Sequence, residues 1–560
     1  MSEVSEHKES RSVMGRMRRT RVWRRLLTVA TAAATLTGFA AASTPAAADT
    51  SNLYIVWTPS IVGSLSAAND VASVGGTVLA NLDVADGVEA QLSSLQVTSL
   101  QAMAGVVVTS DFSASVADTT SGPNNRPGAA VFPQQTGATQ LWANGDNGAG
   151  VNVAVLDTGI DSLPDFAGRM VDGVDLSGGN NPWQDGYGHG TFVAGLIAGN
   201  GASSNGAYTG EAPGAGLVSV KVAGNNGSTD VATVLKGLQW VSSHQQTDAI
   251  SVINLSLGAQ PQSSTVQNPL DHAVEKLWHA GVVVVTSAGN AGPFNGTILS
   301  PGDDPLVITV GAMDDQGQTS PSNDLMVPWS SVGPTNPDGW FKPDLVASGR
   351  TVVSLRAPGS YIDTTYPSAE VGTGNFLGSG TSFSAAVTSG AVALVLQHSP
   401  GLNPDTVKGR LIGTTTPGPV GNPFVDGFGD LNALGAAQAT FTFTQHAPSA
   451  ATPMGATVSL ESTWSGTGWN GTGWNGTGWN GQAYQGTGWN GTGWNGTGWN
   501  GAYFNGTGWN GTGWNSGFWS GTGWNGTGWN GSAWDGTGWN GTGWNGASWT
   551  GTGWNGSAWN

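Results

Sequence analysis

The sequence contains no cysteine among its 560 residues. This absence excludes disulfide bonds, thiol nucleophiles and thiolate-bound metal sites. Charged residues are scarce as well, at 10% against the roughly 25% that is usual for soluble domains. Basic residues are the scarcer sign, with 18 Lys and Arg against 36 Asp and Glu. Such an acidic balance argues against a nucleic-acid partner.

Eight of the few basic residues lie at the start of the chain, before the apolar stretch Leu26–Ala42 and the small residues Ala46–Ala48. This order predicts an export signal over residues 1–48. The alternative, a membrane anchor, is disfavoured because the apolar run is short. Removal of the signal leaves 10 basic and 33 acidic residues. Because the only long apolar stretch belongs to the predicted export signal, we expect a secreted protein with no membrane span in the mature chain.

Three short motifs present Asp157 in Asp-Thr-Gly, His189 in Gly-His-Gly-Thr and Ser382 in Gly-Ser-Gly-Thr-Ser. Each has another explanation when taken alone. Asp-Thr-Gly also marks an aspartic protease lobe, but that mechanism needs a second such motif, and none is present. His189 could be structural, and Ser382 could be a turn or helix cap. Together, the order Asp, His, Ser is one that hydrolase triads take.

Short Val-rich runs alternate with helical patterns between residues 137 and 440. Runs without polar alternation predict strands that are buried on both faces, and their alternation with helices predicts a parallel sheet covered by helices. The predicted strands are Val151–Leu156, Leu217–Val222, Val252–Leu257, Val282–Thr286 and Leu306–Val310, and the predicted helices are Thr191–Ala198, Val231–Ser242, Leu270–His279 and Phe383–Gln397.

These motifs resemble the subtilases, the subtilisin-like serine proteases. The resemblance covers residues 137–440 and implies an α/β fold, namely a subtilisin-like doubly wound parallel sheet with helices on both faces. It implies Asp157, His189 and Ser382 as catalytic residues and Asn290 as the oxyanion donor. It also implies that two strands line the substrate cleft with small groups that permit a large apolar side chain: Ser256, Leu257, Gly258, Ser287, Ala288 and Gly289.

The expected reaction is hydrolysis of peptide bonds in protein or peptide substrates through an acyl-enzyme. The family often holds structural calcium, but no cofactor and no metal ligand is assigned from this sequence. Ala386 stands where the family usually has Pro, and this change removes no catalytic group. The rival interpretation is an inactive surface adhesion or structural protein with a protease-like domain.

Composition also divides the rest of the chain. Residues 49–117 resemble the family's inhibitory, chaperone-like propeptides, a small α+β unit, so that the enzyme would be made as a zymogen. Residues 118–136 and 441–463 are interpreted as linkers, because turn-forming residues interrupt the pattern in the first of them.

The tail, residues 464–560, is a Trp-rich repeat of Gly-Thr-Gly-Trp-Asn. Every fifth position from Trp464 to Trp559 is aromatic, and only Tyr484 and Phe504 among them are not Trp. A period of five fits neither a helix nor one strand face, and it indicates a stacked array. Three roles stay open: binding to cell wall or polysaccharide, self-assembly, or a flexible spacer.

Overall fold

A computed structural model describes residues 53–58, 63–116 and 130–445. In the tail it describes the backbone of residues 463–469, 483–489, 497–549 and 552–556. The predicted export signal, residues 1–48, lies outside these ranges, as do residues 118–129 and 446–462 within the two predicted linkers. Within the described residues, no helix is both long and apolar enough to cross a membrane.

The N-terminal unit, residues 53–116, has its own sheet of order β2-β3-β1-β4. Two helices pack on it around a small core that includes Val56, Val71 and Leu100. Its elements are β1 (Leu53–Trp57), α1 (Gly63–Ser73), β2 (Thr77–Leu82), β3 (Gly87–Gln91), α2 (Ser94–Gln101), β4 (Val107–Ser110) and β5 (Ser113–Val116).

The larger unit, residues 130–445, contains the remaining described helices and most of the described strands. Its strands are β6 (Asn152–Asp157), β7 (Met170–Asp175), β8 (Gly216–Lys221), β9 (Ser228–Asp230), β10 (Ile250–Leu255), β11 (Leu257–Gly258), β12 (Val283–Ser287), β13 (Ile308–Asp314), β14 (Leu325–Met326), β15 (Leu345–Ser348), β16 (Val352–Leu355), β17 (Glu370–Val371) and β18 (Asn375–Gly378). Its helices are α3 (Phe132–Gln135), α4 (Ala138–Ala143), α5 (His189–Ala198), α6 (Val231–His244), α7 (Pro269–His279), α8 (Tyr361–Thr365), α9 (Thr381–His398), α10 (Pro404–Gly413) and α11 (Ala433–Gln438).

The central sheet of this unit has the order β14-β13-β12-β10-β6-β8-β7, with β15 also paired to β13. All its pairs are parallel except β13 with β14. The helices contact the sheet in two groups, α5 with α9 and α6 with α7. The predicted parallel sheet is confirmed, because Val-rich strands without polar alternation are stable only when both faces are covered.

The register of three neighbouring strands positions the functional residues. Leu156 of β6 lies beside Leu255 of β10, and Leu255 lies beside Thr286 of β12. Asp157 and Ser287 therefore end their strands, and Ser256 follows the end of β10, at the same edge of the sheet. In open parallel sheets this carboxyl edge is where ligands bind.

Several boundaries differ from those expected. Residues 132–135, assigned to a linker by composition, form α3, because Phe132 is buried in the main core. Helix α5 begins at His189 rather than Thr191, and α9 begins at Thr381 rather than Phe383. The last predicted strand begins and ends later along the chain, at Ile308–Asp314.

Candidate active site

The carboxylate of Asp157 and the imidazole of His189 form a buried pair. The Nδ1 atom of His189 lies 2.7 Å from Oδ1 and 2.9 Å from Oδ2 of Asp157. Neither residue is exposed to solvent. Oδ1 also accepts a hydrogen bond of 2.8 Å from the backbone N–H of Thr158. The carboxylate thus holds the ring through Nδ1, which is the arrangement that makes Nε2 the basic nitrogen.

A second carboxylate, Asp185, organises the loop that leads to His189. It accepts hydrogen bonds from the backbone N–H groups of Gly188 and Thr191, at 2.7 and 2.8 Å, and from the hydroxyl of Thr158 at 2.8 Å. Burial raises the pKa of Asp185, although these hydrogen bonds act in the opposite direction. The sequence analysis missed this residue, since an Asp four positions before a His carries no signal of its own.

The hydroxyl of Ser382 lies in the first turn of α9. Its Oγ donates a 2.9 Å hydrogen bond to the carbonyl of Ser256, and the hydroxyl of Ser256 donates a 2.8 Å hydrogen bond to the carbonyl of Ser382. The next residue, Phe383, packs its ring 5.6 Å from that of His189. The structure therefore places Ser382 at the positive end of an 18-residue helix, next to a residue whose ring contacts that of His189.

The amide of Asn290 has a fixed orientation. Its Oδ1 accepts hydrogen bonds from the backbone N–H and the hydroxyl of Thr381, at 3.0 and 2.9 Å. Its Nδ2 is buried and has no hydrogen-bond partner among the described residues. Thr381, which precedes Ser382, was also missed by the sequence analysis. The amide N–H group is thus left available to a substrate oxygen at the start of α9.

The two segments expected to bind substrate follow the carboxyl ends of β10 and β12. Leu257 and Gly258 form β11, which pairs antiparallel with Ser115 and Val116 of β5. On the other side, the segment Ser287–Gly289 ends β12. A peptide strand of the N-terminal unit therefore already occupies the backbone edge of β11.

Leu299 joins these two walls. Its N–H donates a 3.0 Å hydrogen bond to the carbonyl of Ala288. A Cβ atom on Gly258 would lie 2.8 Å from the Cβ of Leu299, and one on Gly289 would lie 2.8 Å from its Cγ. The sequence predicted a pocket lined by small groups with room for a large apolar side chain. The side chain of Leu299 lies close to both glycine positions, so it bounds the space beside them.

The described residues contain no group of three or more His, Asp or Glu side chains arranged to hold a metal ion. The acidic residues Asp271, Asp303 and Asp304 are buried near one another, and burial raises the pKa of each. That of Asp303 reaches about 8.

Known proteins are similar to this chain in sequence. A family model described as the subtilase family matches residues 148–484. Serine protease AprX of Bacillus subtilis (strain 168) is 41% identical over 303 residues, which cover 53% of this chain and 68% of that protein. Subtilisin DY of Bacillus licheniformis is 34% identical over 304 residues, which cover 54% of this chain and 96% of that protein.

A solved structure extends the likeness to the fold. Fervidolysin from Fervidobacterium pennivorans, a keratinolytic enzyme related to subtilisin, aligns with a TM-score of 0.55 and 23% sequence identity. The alignment covers 70% of this chain and 61% of fervidolysin. At this identity the comparison concerns the fold alone.

Proposed function

Since the chain belongs to the subtilase family and is a serine-type endopeptidase, we propose that Asp157, His189 and Ser382 are its catalytic triad. The observation that carries this proposal is the buried contact between Nδ1 of His189 and the carboxylate of Asp157. It keeps the ring proton on Nδ1 and directs Nε2 to act as a base. Ser382 supplies the hydroxyl, at the start of a long helix on the same sheet edge.

The reaction proceeds in two halves. The Oγ of Ser382 attacks the peptide carbonyl carbon while Nε2 of His189 takes the hydroxyl proton. The imidazolium then gives that proton to the leaving amine as the C–N bond breaks, which leaves an ester on Ser382. Water attacks this ester with the same base, releases the acid and restores the hydroxyl. Asp157 stabilises the imidazolium in both halves.

Asn290 would stabilise the negative oxygen that forms in each half. Its Nδ2 faces away from Thr381, because Oδ1 is held by two hydrogen bonds from that residue. The backbone N–H of Ser382, in the first turn of α9, is the second donor. Donors fixed before the reaction lower the barrier without any cost of reorientation.

The N-terminal unit fits the role of an inhibitory propeptide. Its strand β5 takes up the edge of β11 that a substrate strand would use. Its body contacts α6 and α7: Asp86 accepts from Nε2 of His272 and from Nζ of Lys276, both at 2.8 Å. The rings of Trp57 and His272 stack 5.2 Å apart. Cleavage after this unit, between about residues 115 and 136, would release an active enzyme.

The triad is tested on the full zymogen by comparing three forms: wild type, Ser382→Ala and Ser384→Ala. The control removes an equal hydroxyl from the same helix, where Ser384 donates a 3.0 Å hydrogen bond to the carbonyl of Ala347. We expect wild type and the control to shorten to the mature form and digest casein, while Ser382→Ala does neither. Equal processing by all three forms would refute the triad, and an inert wild type would support an adhesive protein instead.

Export and surface binding complete the proposal. The basic and apolar residues before Ala48 support secretion, and the Trp-rich tail supports retention at a cell wall or another polysaccharide. The full chain carrying Ser382→Ala is expressed in a bacterial host, and the culture medium is mixed with insoluble wall fractions. Retention in the pellet is expected. A protein that stays in the cells refutes export, and one that stays in the supernatant refutes wall binding.

A further inference from the structure

The tail departs from its pentapeptide repeat at regular intervals. Most units read Gly-Thr-Gly-Trp-Asn, but some carry other residues beside the aromatic position, such as Gly-Gln-Ala-Tyr-Gln and Gly-Ser-Ala-Trp-Asp. Up to Trp549, the aromatic residues of these variant units are Trp464, Tyr484, Phe504, Trp519, Trp534 and Trp549. They recur at every fourth unit as far as Phe504 and at every third unit from there to Trp549. The five-residue repeat therefore carries a second, longer repeat of four and then three units. Only the variant unit of Trp559 does not fit this longer repeat.

The backbone pairing of the tail repeats these two spacings. The tail strands are β19 (Thr463–Trp469), β20 (Ala483–Trp489), β21 (Thr497–Trp549) and β22 (Thr552–Gly556), and they pair in parallel in that order. Trp464 lies beside Tyr484, and Tyr484 lies beside Phe504, so that each of these steps spans four pentapeptide units. Trp539 lies beside Trp554, a step of three units.

From this agreement we infer that the tail is a single coil of parallel strands, with four pentapeptide units per turn in its first part and three in its second, and that its aligned aromatic positions form a binding surface for a neutral polysaccharide. Up to Trp549, each turn contains one variant unit, which lies over the variant unit of the turn before. Asn-Gly steps suit the bends that such a coil needs, because both residues tolerate positive φ. Neighbouring turns lie about 4.8 Å apart, the spacing of hydrogen-bonded strands.

The aromatic positions coincide from turn to turn because every turn is a whole number of pentapeptide units. Four of the register pairs join aromatic residues: Trp464 with Tyr484, Trp469 with Trp489, Tyr484 with Phe504, and Trp539 with Trp554. Identical residues stacked in register form continuous ladders along a parallel array. Among the described residues, Trp464, Tyr484 and Phe504 thus share one column, Trp469 and Trp489 a second, and Trp539 and Trp554 a third.

The composition of the tail favours an uncharged partner. Residues 464–560 contain no Lys, Arg, His or Glu and a single acidic residue, Asp535. Each Gly-Thr-Gly-Trp-Asn unit offers one aromatic ring, one hydroxyl and one amide, which suit the faces and hydroxyl groups of sugar rings. Regularly spaced columns suit a linear polymer. The choice of partner rests on the proposed function of the tail, whereas the coil does not.

The coil is tested by introducing pairs of cysteines, because the chain has none of its own. Disulfides form when the Cα atoms are about 4.4 to 6.8 Å apart, a range that includes the strand spacing. In the full chain with Ser382→Ala, Thr467→Cys and Thr487→Cys lie four units apart and in register. This pair should oxidise to near completion, while Thr467→Cys with Gln482→Cys, only three units apart, should stay reduced.

The second part of the tail reverses this rule. Thr537→Cys and Thr552→Cys, which lie three units apart and in register, should form the disulfide. Thr537→Cys with Ser557→Cys, four units apart, should not. Mapping of disulfide-linked peptides reads all four pairs. Equal yields, or the same preferred spacing in both parts, would overturn the coil.

The partner is tested with the same full chain on insoluble cellulose, chitin and β-1,3-glucan, and on an acidic polysaccharide. Retention on at least one neutral polymer is expected, and the matching soluble oligosaccharide should displace the protein from it. Replacing Trp524, Trp529 and Trp534 by Ala, which clears one turn, should weaken retention by about fivefold for each aromatic residue. The expected disulfide pattern without retention on any neutral polymer would overturn the partner and leave the coil standing.

Discussion

Leu299 should limit the size of the substrate side chain that the enzyme accepts directly before the cleaved peptide bond. Its side chain lies between Gly258 and Gly289, so that even a single added carbon on either glycine would come within 2.8 Å of it. With Leu299 in place, we expect the enzyme to cleave after Ala or another small residue in preference to Phe or Tyr. The substitution Leu299→Gly removes the whole isobutyl group and opens the space between the walls.

The size of the effect follows from the carbon atoms that the change makes room for. One methylene in an apolar enzyme pocket is worth about 1 to 3 kcal/mol, or roughly 10- to 200-fold in kcat/KM. Part of this gain is lost because water enters the opened space and the pocket relaxes. We expect the ratio of kcat/KM for Phe over Ala to rise about 10- to 100-fold in Leu299→Gly, with an intermediate rise in Leu299→Ala.

The assay uses tetrapeptide p-nitroanilides that differ only in the last residue, Ala, Leu, Phe or Tyr. Leu325→Ala is the matched control, because Leu325 is an exposed leucine on the edge strand β14. Thermal unfolding of each variant checks that the fold is retained. A Phe/Ala ratio that is the same in wild type, both Leu299 variants and the control would refute the assignment of Leu299 to the pocket floor.

Three further predictions concern the oxyanion site and two buried titratable groups. Asn290→Ala should lower kcat by roughly 100- to 1,000-fold with little change in KM, the cost measured in subtilisin for losing one such donor. Thr381→Ala should lower kcat as well, because Thr381 holds the amide of Asn290. The control is Thr388→Ala, which removes another buried hydroxyl of α9, one that donates to the carbonyl of Ser384; an equal fall in the two threonine variants would contradict the positioning of Asn290 by Thr381. Glu211 is fully buried, and burial raises its pKa from the usual 4.5 to about 8, so the fold loses stability as pH rises from 4.5 to about 8. Glu211→Gln should remove this loss of unfolding free energy, which amounts to up to about 5 kcal/mol in the wild type. If the unfolding free energies of wild type and Glu211→Gln changed in parallel across that pH range, the prediction would be contradicted. Burial lowers the pKa of His272, although Asp86 raises it and Lys276 lowers it further. The complex between the two units therefore favours the neutral ring. It should weaken as the pH falls below about 6.5, where the ring takes up a proton once the units separate. When the Ser382→Ala zymogen is cut between the two units, it should release the N-terminal unit more readily at acidic than at neutral pH. If the same difference between the two pH values were found after adding His272→Gln, this role of the ring would be contradicted.

Much of the fold could be predicted from local patterns. The runs around Val153 and Val284 lack polar alternation, and only a strand covered on both faces explains such a run. The parallel order then places Asp157 and Ser287 at one edge, because strands of the same direction end on the same side. Boundaries were less accurate, as at α3, because the burial of Phe132 depends on residues far along the chain.

The sequence also failed at residues whose role depends on a distant partner. Asp185 acts through the backbone N–H groups of Gly188 and Thr191, which any sequence at those positions would supply. Thr381 acts on Asn290 across 91 positions of the chain. Local propensity carries no information about such contacts. They arise only when helices and strands are packed together.

By itself, the sequence determined the chemistry that is available to this protein: a carboxylate, an imidazole and a hydroxyl in the order Asp157, His189 and Ser382, and a tail with an aromatic residue at every fifth position. Side-chain type and spacing are properties of the chain, so they survive without a fold. The tertiary structure decided which groups meet. It brought Leu299 against Gly258 and Gly289, turned the amide of Asn290 and laid β5 along β11, because each of these depends on distances between segments that only packing brings together.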